Sequence, residues 1–90
     1  MTAKYHVTLA GPAIEALEYQ LPPKIAEAVW AFIIGPLAEN PYRVGKKLCA
    51  PLDFAYAARR GDYRILYQID GDQVLVEVID IRHRAKAYRA

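Results

Sequence analysis

The chain has 90 residues and a net charge of +2, with 54% hydrophobic and 24% charged residues. That is the length of one domain, spanning residues 1–90, and the composition excludes disorder. One cysteine excludes an internal disulfide, no Cys/His set has zinc spacing, and no apolar run approaches the roughly 18–20 residues of a membrane span.

Tyr5 to Ala10 alternates as a first strand, and no apolar stretch of a signal peptide precedes it, which reads as a cytoplasmic protein. Gly11-Pro12 stops that strand and starts a helix, with proline at a first-turn position where its missing N–H costs nothing. Ile14, Leu17 and Leu21 give the helix a narrow apolar stripe, and Pro22-Pro23 ends it. A second helix starts near Pro23-Lys24. Ile25, Val29, Phe32 and Ile33 form its stripe, widened by Ala26, Trp30 and Ile34, so it is a core helix on a sheet or one that also meets a partner. Trp30 is expected in the core. Gly35-Pro36 kinks or ends this helix, and Leu37 to Glu39 adds a final turn.

Residues 41–53 read as connecting chain, followed by a strand over Phe54–Arg59 and a turn at Arg60-Gly61-Asp62. Tyr63, Ile65, Tyr67 and Ile69 then alternate with Arg64, Leu66, Gln68 and Asp70, the period of a half-buried strand. Asp70-Gly71-Asp72 is a tight-turn tripeptide, with Gly supplying positive φ. Val74 to Ile81 is mostly apolar and β-branched, as in a strand covered on both faces. The order is a strand, a two-helix hairpin and a three-stranded antiparallel meander. This is an α+β fold with its helices packed on one face of the sheet.

Charge is divided along the chain. Residues 1–40 carry two lysines against four glutamates, a net of −2; residues 41–90 carry ten Lys/Arg against six Asp/Glu, a net of +4. The C-terminal half therefore offers a basic face to nucleic acid or to an acidic protein. If helices cover one face of the sheet, Arg64 and Gln68 lie on the other. The segment Arg82-His83-Arg84-Ala85-Lys86-Ala87-Tyr88-Arg89 leaves the neighbouring strand and can bring guanidinium groups beside Arg64, with Arg59 and Lys47 in reach of the same area. Arginine is bidentate toward phosphate, tyrosine offers a stacking ring, and His83 can move a proton near neutral pH. Such a set suits metal-free phosphodiester cleavage with the 2′-hydroxyl of RNA as nucleophile. The competing structural reading pairs Arg64 with Asp70 or Asp80 and leaves Lys46 and Lys47 as a solvated pair.

These residues carry a family resemblance. Asn40-Pro41, Gly45-Lys46-Lys47-Leu48, Ala58-Arg59-Arg60-Gly61-Asp62-Tyr63-Arg64-Ile65-Leu66-Tyr67, Val78-Ile79-Asp80-Ile81, His83-Arg84 and Tyr88 resemble the RelE/ParE superfamily of bacterial toxins, nearer RelE than ParE. The resemblance implies a type II toxin that cleaves mRNA on the ribosome without a cofactor or metal. It implies an acidic antitoxin that wraps helices over the toxin, operator DNA bound only through that complex, and no membrane. Carried over by position, Arg64 would neutralise the scissile phosphate and Arg84 would stabilise it or assist the leaving 5′-oxygen. Tyr88 would stack on or orient base and ribose, and Lys47 would contact the RNA backbone. Lys46, Arg59, Arg60 and Arg82 complete the expected RNA-binding set. The chain departs from the pattern at Ala55 and Ala57, where some members carry lysines, and His83 is then the expected acid or base. Cys49 stands where an arginine is sometimes found. The alternatives are a ParE-like toxin acting on DNA gyrase and a catalytically weak antitoxin-binding module.

Overall fold

In the computed structural model, which describes residues 4–86, five strands form one sheet in the order β1-β5-β4-β3-β2. β1 (His6–Leu9) runs into α1 (Gly11–Glu15), where the Ala10 carbonyl accepts from the N–H groups of both Ala13 and Ile14. The helix continues through a wide π-helical turn, Ala16–Gln20, and stops where Leu21 becomes extended ahead of Pro22. α2 (Pro23–Phe32) likewise passes into a π-helical turn, Ile33–Leu37, that contains Pro36. Gly35-Pro36 therefore distorts this helix without ending it, since a widened turn accommodates the hydrogen bond that proline cannot make. α3 (Pro41–Val44), β2 (Gly45–Lys47), β3 (Tyr56–Arg60), β4 (Tyr63–Asp70) and β5 (Leu75–His83) follow, with a single 3₁₀ turn over Arg84–Lys86.

β1 lies parallel to β5, from His6 opposite Leu75 to Leu9 opposite Val78, and the other ladders are antiparallel. The α+β architecture is the expected one, with a correction at its edge. The segment read as connecting chain supplies α3 and an additional strand, β2. Three residues, Gly-Lys-Lys, carry no β-forming signal; pairing with β3 makes them a strand, and lysines suit a sheet edge.

The core lies between the helices and one sheet face. Val29, Ile33 and Leu37, at i, i+4 and i+8 of the second helix, are at most 1% exposed and meet Ile65, Tyr67, Val76 and Val78. Each such burial stabilises by about 1.5–3 kcal/mol. Trp30 is 42% exposed, against the expectation of a core position. The helix is apolar over more of its circumference than the sheet can cover, and the Val29 stripe takes the contact.

Two close approaches hold β2 and α3 to the sheet. Tyr67 is fully buried, stacks on Tyr56 at 5.8 Å between ring centroids, and donates a 2.6 Å hydrogen bond from its hydroxyl to the Pro41 carbonyl. Burial pushes the Tyr67 hydroxyl well above the ordinary tyrosine range, and the neighbouring Tyr56 adds to this. Gly45 passes so close that a Cβ there would collide with the Tyr67 hydroxyl and come within 2.9 Å of the Ala57 carbonyl.

The turns differ in mechanism. Gly61, at φ +61, leads a two-residue hairpin between Arg60 and Tyr63, a position that glycine fills without strain. Between β4 and β5 the loop has four residues, Gly71 to Val74, and its positive φ (+53) falls on Val74 where Gly71 was expected to supply it. Asp70 carries this loop: its Oδ1 accepts from the N–H groups of Asp72 and Gln73 at 3.1 and 3.2 Å.

Candidate functional site

The site follows from sheet register. Arg59 on β3 stands opposite Arg64 on β4, and Arg64 stands opposite Arg82 on β5. Directly opposed residues share a face, so three arginines form one row across three adjacent strands. The next row on that face is Lys46, Ala57, Leu66 and Asp80, contributed by β2 to β5 in turn. The helices cover the other face. A cavity of about 410 Å³ opens among Lys46, Ala57, Arg59 and Arg64, floored by Val44 and Leu48.

A β-bulge decides what β5 contributes. Leu66 pairs with Asp80 and Tyr67 with Val78, which leaves Ile79 as an extra residue without a partner. Val76 and Val78 face the core before the bulge, and Ile81 faces it after. Asp80 and Arg82 are thereby turned onto the arginine face; uninterrupted alternation from Val78 would have pointed both at the helices. β5 is covered on one face, and the expectation of cover on both gives way at Glu77, Asp80 and Arg82.

Like charges set directly opposite one another cost stability, about 0.2–1 kcal/mol per pair. Among the described residues, Arg59 and Arg64 form no ion pair with Asp70, Asp80 or any other carboxylate. The ion pair that a purely structural reading expects for Arg64 is therefore absent among the described residues. Arg82 is held differently, its Nε donating 2.8 Å to Asp80 Oδ2.

The expected site residues divide between the two faces. Lys46, Arg59, Arg64 and Arg82 come together. Lys47 pairs with Tyr56, Arg60 with Tyr63, and His83 with Tyr63, which places these three on the helix side. Arg60 lines a cavity with Ile25 and Val29 of α2. His83 meets the Tyr63 ring edge-on at 5.2 Å, and its Nδ1 accepts from the Ala85 N–H at 3.1 Å. Strand alternation and the bulge thus put Lys47, Arg60 and His83 on the face opposite Arg64, where the sequence reading had grouped them with it. Arg84 lies past the end of β5, where its N–H donates 2.7 Å to the Asp62 carbonyl and its Nε stands 3.7 Å from the Asp62 carboxylate. Tyr88 and Arg89 lie outside the described residues.

Lys46 reaches the arginine face through β2, a strand with no local sequence signal, and Asp80 reaches it through the bulge. The signal for Asp80 was present: with Ile81 inside, Asp80 and Arg82 must both face out. Among the described residues no three His, Cys, Asp or Glu side chains gather into a metal-binding group, and no helix is long and apolar enough to cross a membrane.

A helical hairpin on one face of a five-stranded sheet, with a row of arginines on the other, defines a RelE-like toxin fold. Residues 13–88 match the family of ParE toxins of type II toxin–antitoxin systems, parDE, and the chain belongs to that family of toxins. Within it the chain is similar to toxin RelE of Mycobacterium tuberculosis, 46% identical over 85 residues that cover 94% of this chain and 87% of the relative. It is also similar to toxin RelG of the same organism, 45% identical over 71 residues, 79% of this chain and 82% of that one. A chain in the crystal structure of the toxin–antitoxin complex RelBE2 from M. tuberculosis superposes with a TM-score of 0.87 at 40% identity, covering 96% of this chain and 98% of that one. A chain of the intact Escherichia coli RelBE complex shares the fold, with a TM-score of 0.72 at 21% identity over 94% of this chain and 99% of that one.

Proposed function

We propose that this toxin is an endoribonuclease that cuts mRNA on the ribosome and so inhibits translation. The observation that carries this reading is the in-register row Arg59–Arg64–Arg82 on the face left open by the helices. Three guanidinium groups side by side match the spread negative charge of a phosphodiester passing through its pentavalent state. In the reaction the 2′-oxygen bonds to phosphorus, its proton leaves, and the P–O5′ bond breaks with a proton delivered to the 5′-oxygen. Arg64, central in the row, neutralises the phosphate; Arg82 and Arg59 flank it. Lys46 reaches the same cavity across the small Ala57 and supplies positive charge from β2. Arg84, just past the end of β5, acts on the leaving oxygen, and Tyr88 on base and ribose, as the family resemblance implies.

The chain's partner in this reading is a cognate antitoxin, acidic enough to lie over the basic face and encoded beside it. The toxin–antitoxin complexes among the similar structures support that partner. Expression without the antitoxin is expected to arrest growth, and sequencing of mRNA 5′ ends to reveal new cuts inside translated codons. Arrest without such cuts would overturn the ribonuclease reading. The match to a family named for ParE supports one alternative, a toxin directed at DNA gyrase. DNA-damage induction without mRNA cutting distinguishes it.

A further inference from the structure

The open face of the sheet changes character along its strands. Beyond the arginine end, Gln68 on β4 stands opposite Glu77 on β5, and Glu77 opposite Thr8 on β1, so the three share that face. Gln68 lies four residues along β4 from Arg64, about 13 Å at the rise of a strand. With Phe54 and Leu75 these side chains line a cavity of about 320 Å³, and among the described residues no lysine or arginine borders it. Phe54, just ahead of β3, is 55% exposed. Among the described residues, neither Gln68 nor Glu77 uses its side chain in a hydrogen bond or an ion pair. Asp70 also borders the cavity, but its Oδ1 is taken by two N–H groups of the following loop.

An exposed ring beside a carboxylate and a carboxamide is a set suited to an unpaired base. Phenylalanine offers a stacking face that every base accepts, and the two polar heads decide which base is held. A carboxylate presents two acceptors side by side, and the carboxamide adds an amino donor. The Watson–Crick edge of guanine carries the matching set, N1–H and the N2 amino group as donors beside O6 as acceptor. Adenine, cytosine and uracil each offer one donor group on that edge, so guanine alone engages both carboxylate oxygens. Charge selects in the same direction: Glu77 repels phosphate, which stays with the arginines, and admits an uncharged base. We infer that Phe54, Gln68 and Glu77 form a guanine subsite for the mRNA, at a nucleotide beyond the two joined by the scissile phosphate. This inference rests on the ribonuclease reading. One end of the face then cuts, and the other selects where.

The experiment programmes ribosomes with mRNAs carrying each of the four bases at each position near the cut, and measures kcat/KM for purified toxin. Wild type should favour guanine by about 10–100-fold at one position outside the two flanking nucleotides. Glu77→Gln should bring that ratio to within about threefold, because its amide hydrogens meet the donors of guanine. Inosine, which lacks the N2 amino group, should be cut less well than guanosine by wild type and equally well by Glu77→Gln. Phe54→Ala should lower kcat/KM about tenfold for all four bases alike. Both positions are exposed, so neither variant disturbs the core. Wild type that cuts without a guanine preference, or with one confined to the flanking nucleotides, overturns the subsite alone. So does an unchanged preference in Glu77→Gln, or wild-type cutting by Phe54→Ala. Loss of antitoxin binding in either variant with the preference kept assigns the cavity to the protein partner and overturns the subsite likewise. Wild type that cuts no programmed mRNA overturns the ribonuclease reading itself, and the subsite with it.

Discussion

Replacing Tyr67 by phenylalanine removes one oxygen and little else, because the ring keeps its place against Tyr56. The lost atom donates a 2.6 Å hydrogen bond to the Pro41 carbonyl from a side chain with no exposed surface. An ordinary intramolecular hydrogen bond nets ~0.5–1.5 kcal/mol, and stranding a buried partner raises the cost to about 1–3 kcal/mol. Pro41 is itself less than 2% exposed, so water cannot take the vacated position without opening the structure. The upper part of the range applies, about 2–3 kcal/mol. In a domain of this size each kcal/mol moves Tm by about 4–8 °C, giving a fall of roughly 8–24 °C.

Circular dichroism melts at pH 7 measure that fall, and hydrogen exchange locates it. The amides of Gly45, Lys46 and Lys47 should exchange faster in Tyr67→Phe, since this bond ties α3, and through it β2, to the sheet. A fall of under about 2 °C, with exchange at β2 unchanged, would show that the Tyr67 hydroxyl does not hold α3 and β2 to the sheet. The pH dependence gives a second check. Burial raises the Tyr67 pKa above its ordinary value of 10.0, so the native state keeps a proton that the unfolded chain releases above that pH. The stabilisation is therefore complete below pH 10 and declines by about 1.4 kcal/mol per unit above it. The phenylalanine variant lacks this dependence, and its deficit against wild type should narrow as pH rises past 10.

Gly45→Ala forces a methyl against the Tyr67 hydroxyl and the Ala57 carbonyl; it should cost about 1–3 kcal/mol in a chemical denaturation series, and less in a Tyr67→Phe background. Val74 holds φ +53, a conformation costing a β-branched residue about 1–2 kcal/mol, so Val74→Asn should melt several degrees higher. His83→Ala loses the acceptor for the Ala85 N–H and the Tyr63 contact, and should lower stability by about 0.5–1.5 kcal/mol while leaving the saturating cutting rate within threefold. A loss of rate beyond tenfold would return His83 to the chemistry.

The hairpin was legible because Tyr63–Asp70 alternates cleanly, and its bounds match the observed strand β4. The helical hairpin was legible from apolar spacing and from Pro22-Pro23. Arg64 was legible as an outward residue because its neighbours Tyr63 and Ile65 so plainly face in. What stayed hidden depends on pairing. β2 carries no local β signal and exists because Gly45, Lys46 and Lys47 meet Ala58, Ala57 and Tyr56. The Ile79 bulge lies inside a uniformly apolar run, where periodicity cannot show an extra residue. That one residue decides that Arg82 lies on the open face of the sheet and His83 on the helix side, so two adjacent members of the expected cluster part company. Trp30 failed for a different reason: composition marks an apolar helix face but not how much of it the sheet can cover.

On the ribonuclease reading proposed above, the arginine row is kept for phosphate chemistry at some expense of stability. The measurement that tests it most directly compares the saturating rate of mRNA cutting on programmed ribosomes for wild type and Arg64→Gln, alongside their melting temperatures. Relief of like-charge repulsion should leave the variant as stable as wild type or more so, while loss of one preorganised donor slows cutting by about 10²–10³-fold. Cutting within threefold of wild type, or a slow variant that is also markedly less stable, would contradict it.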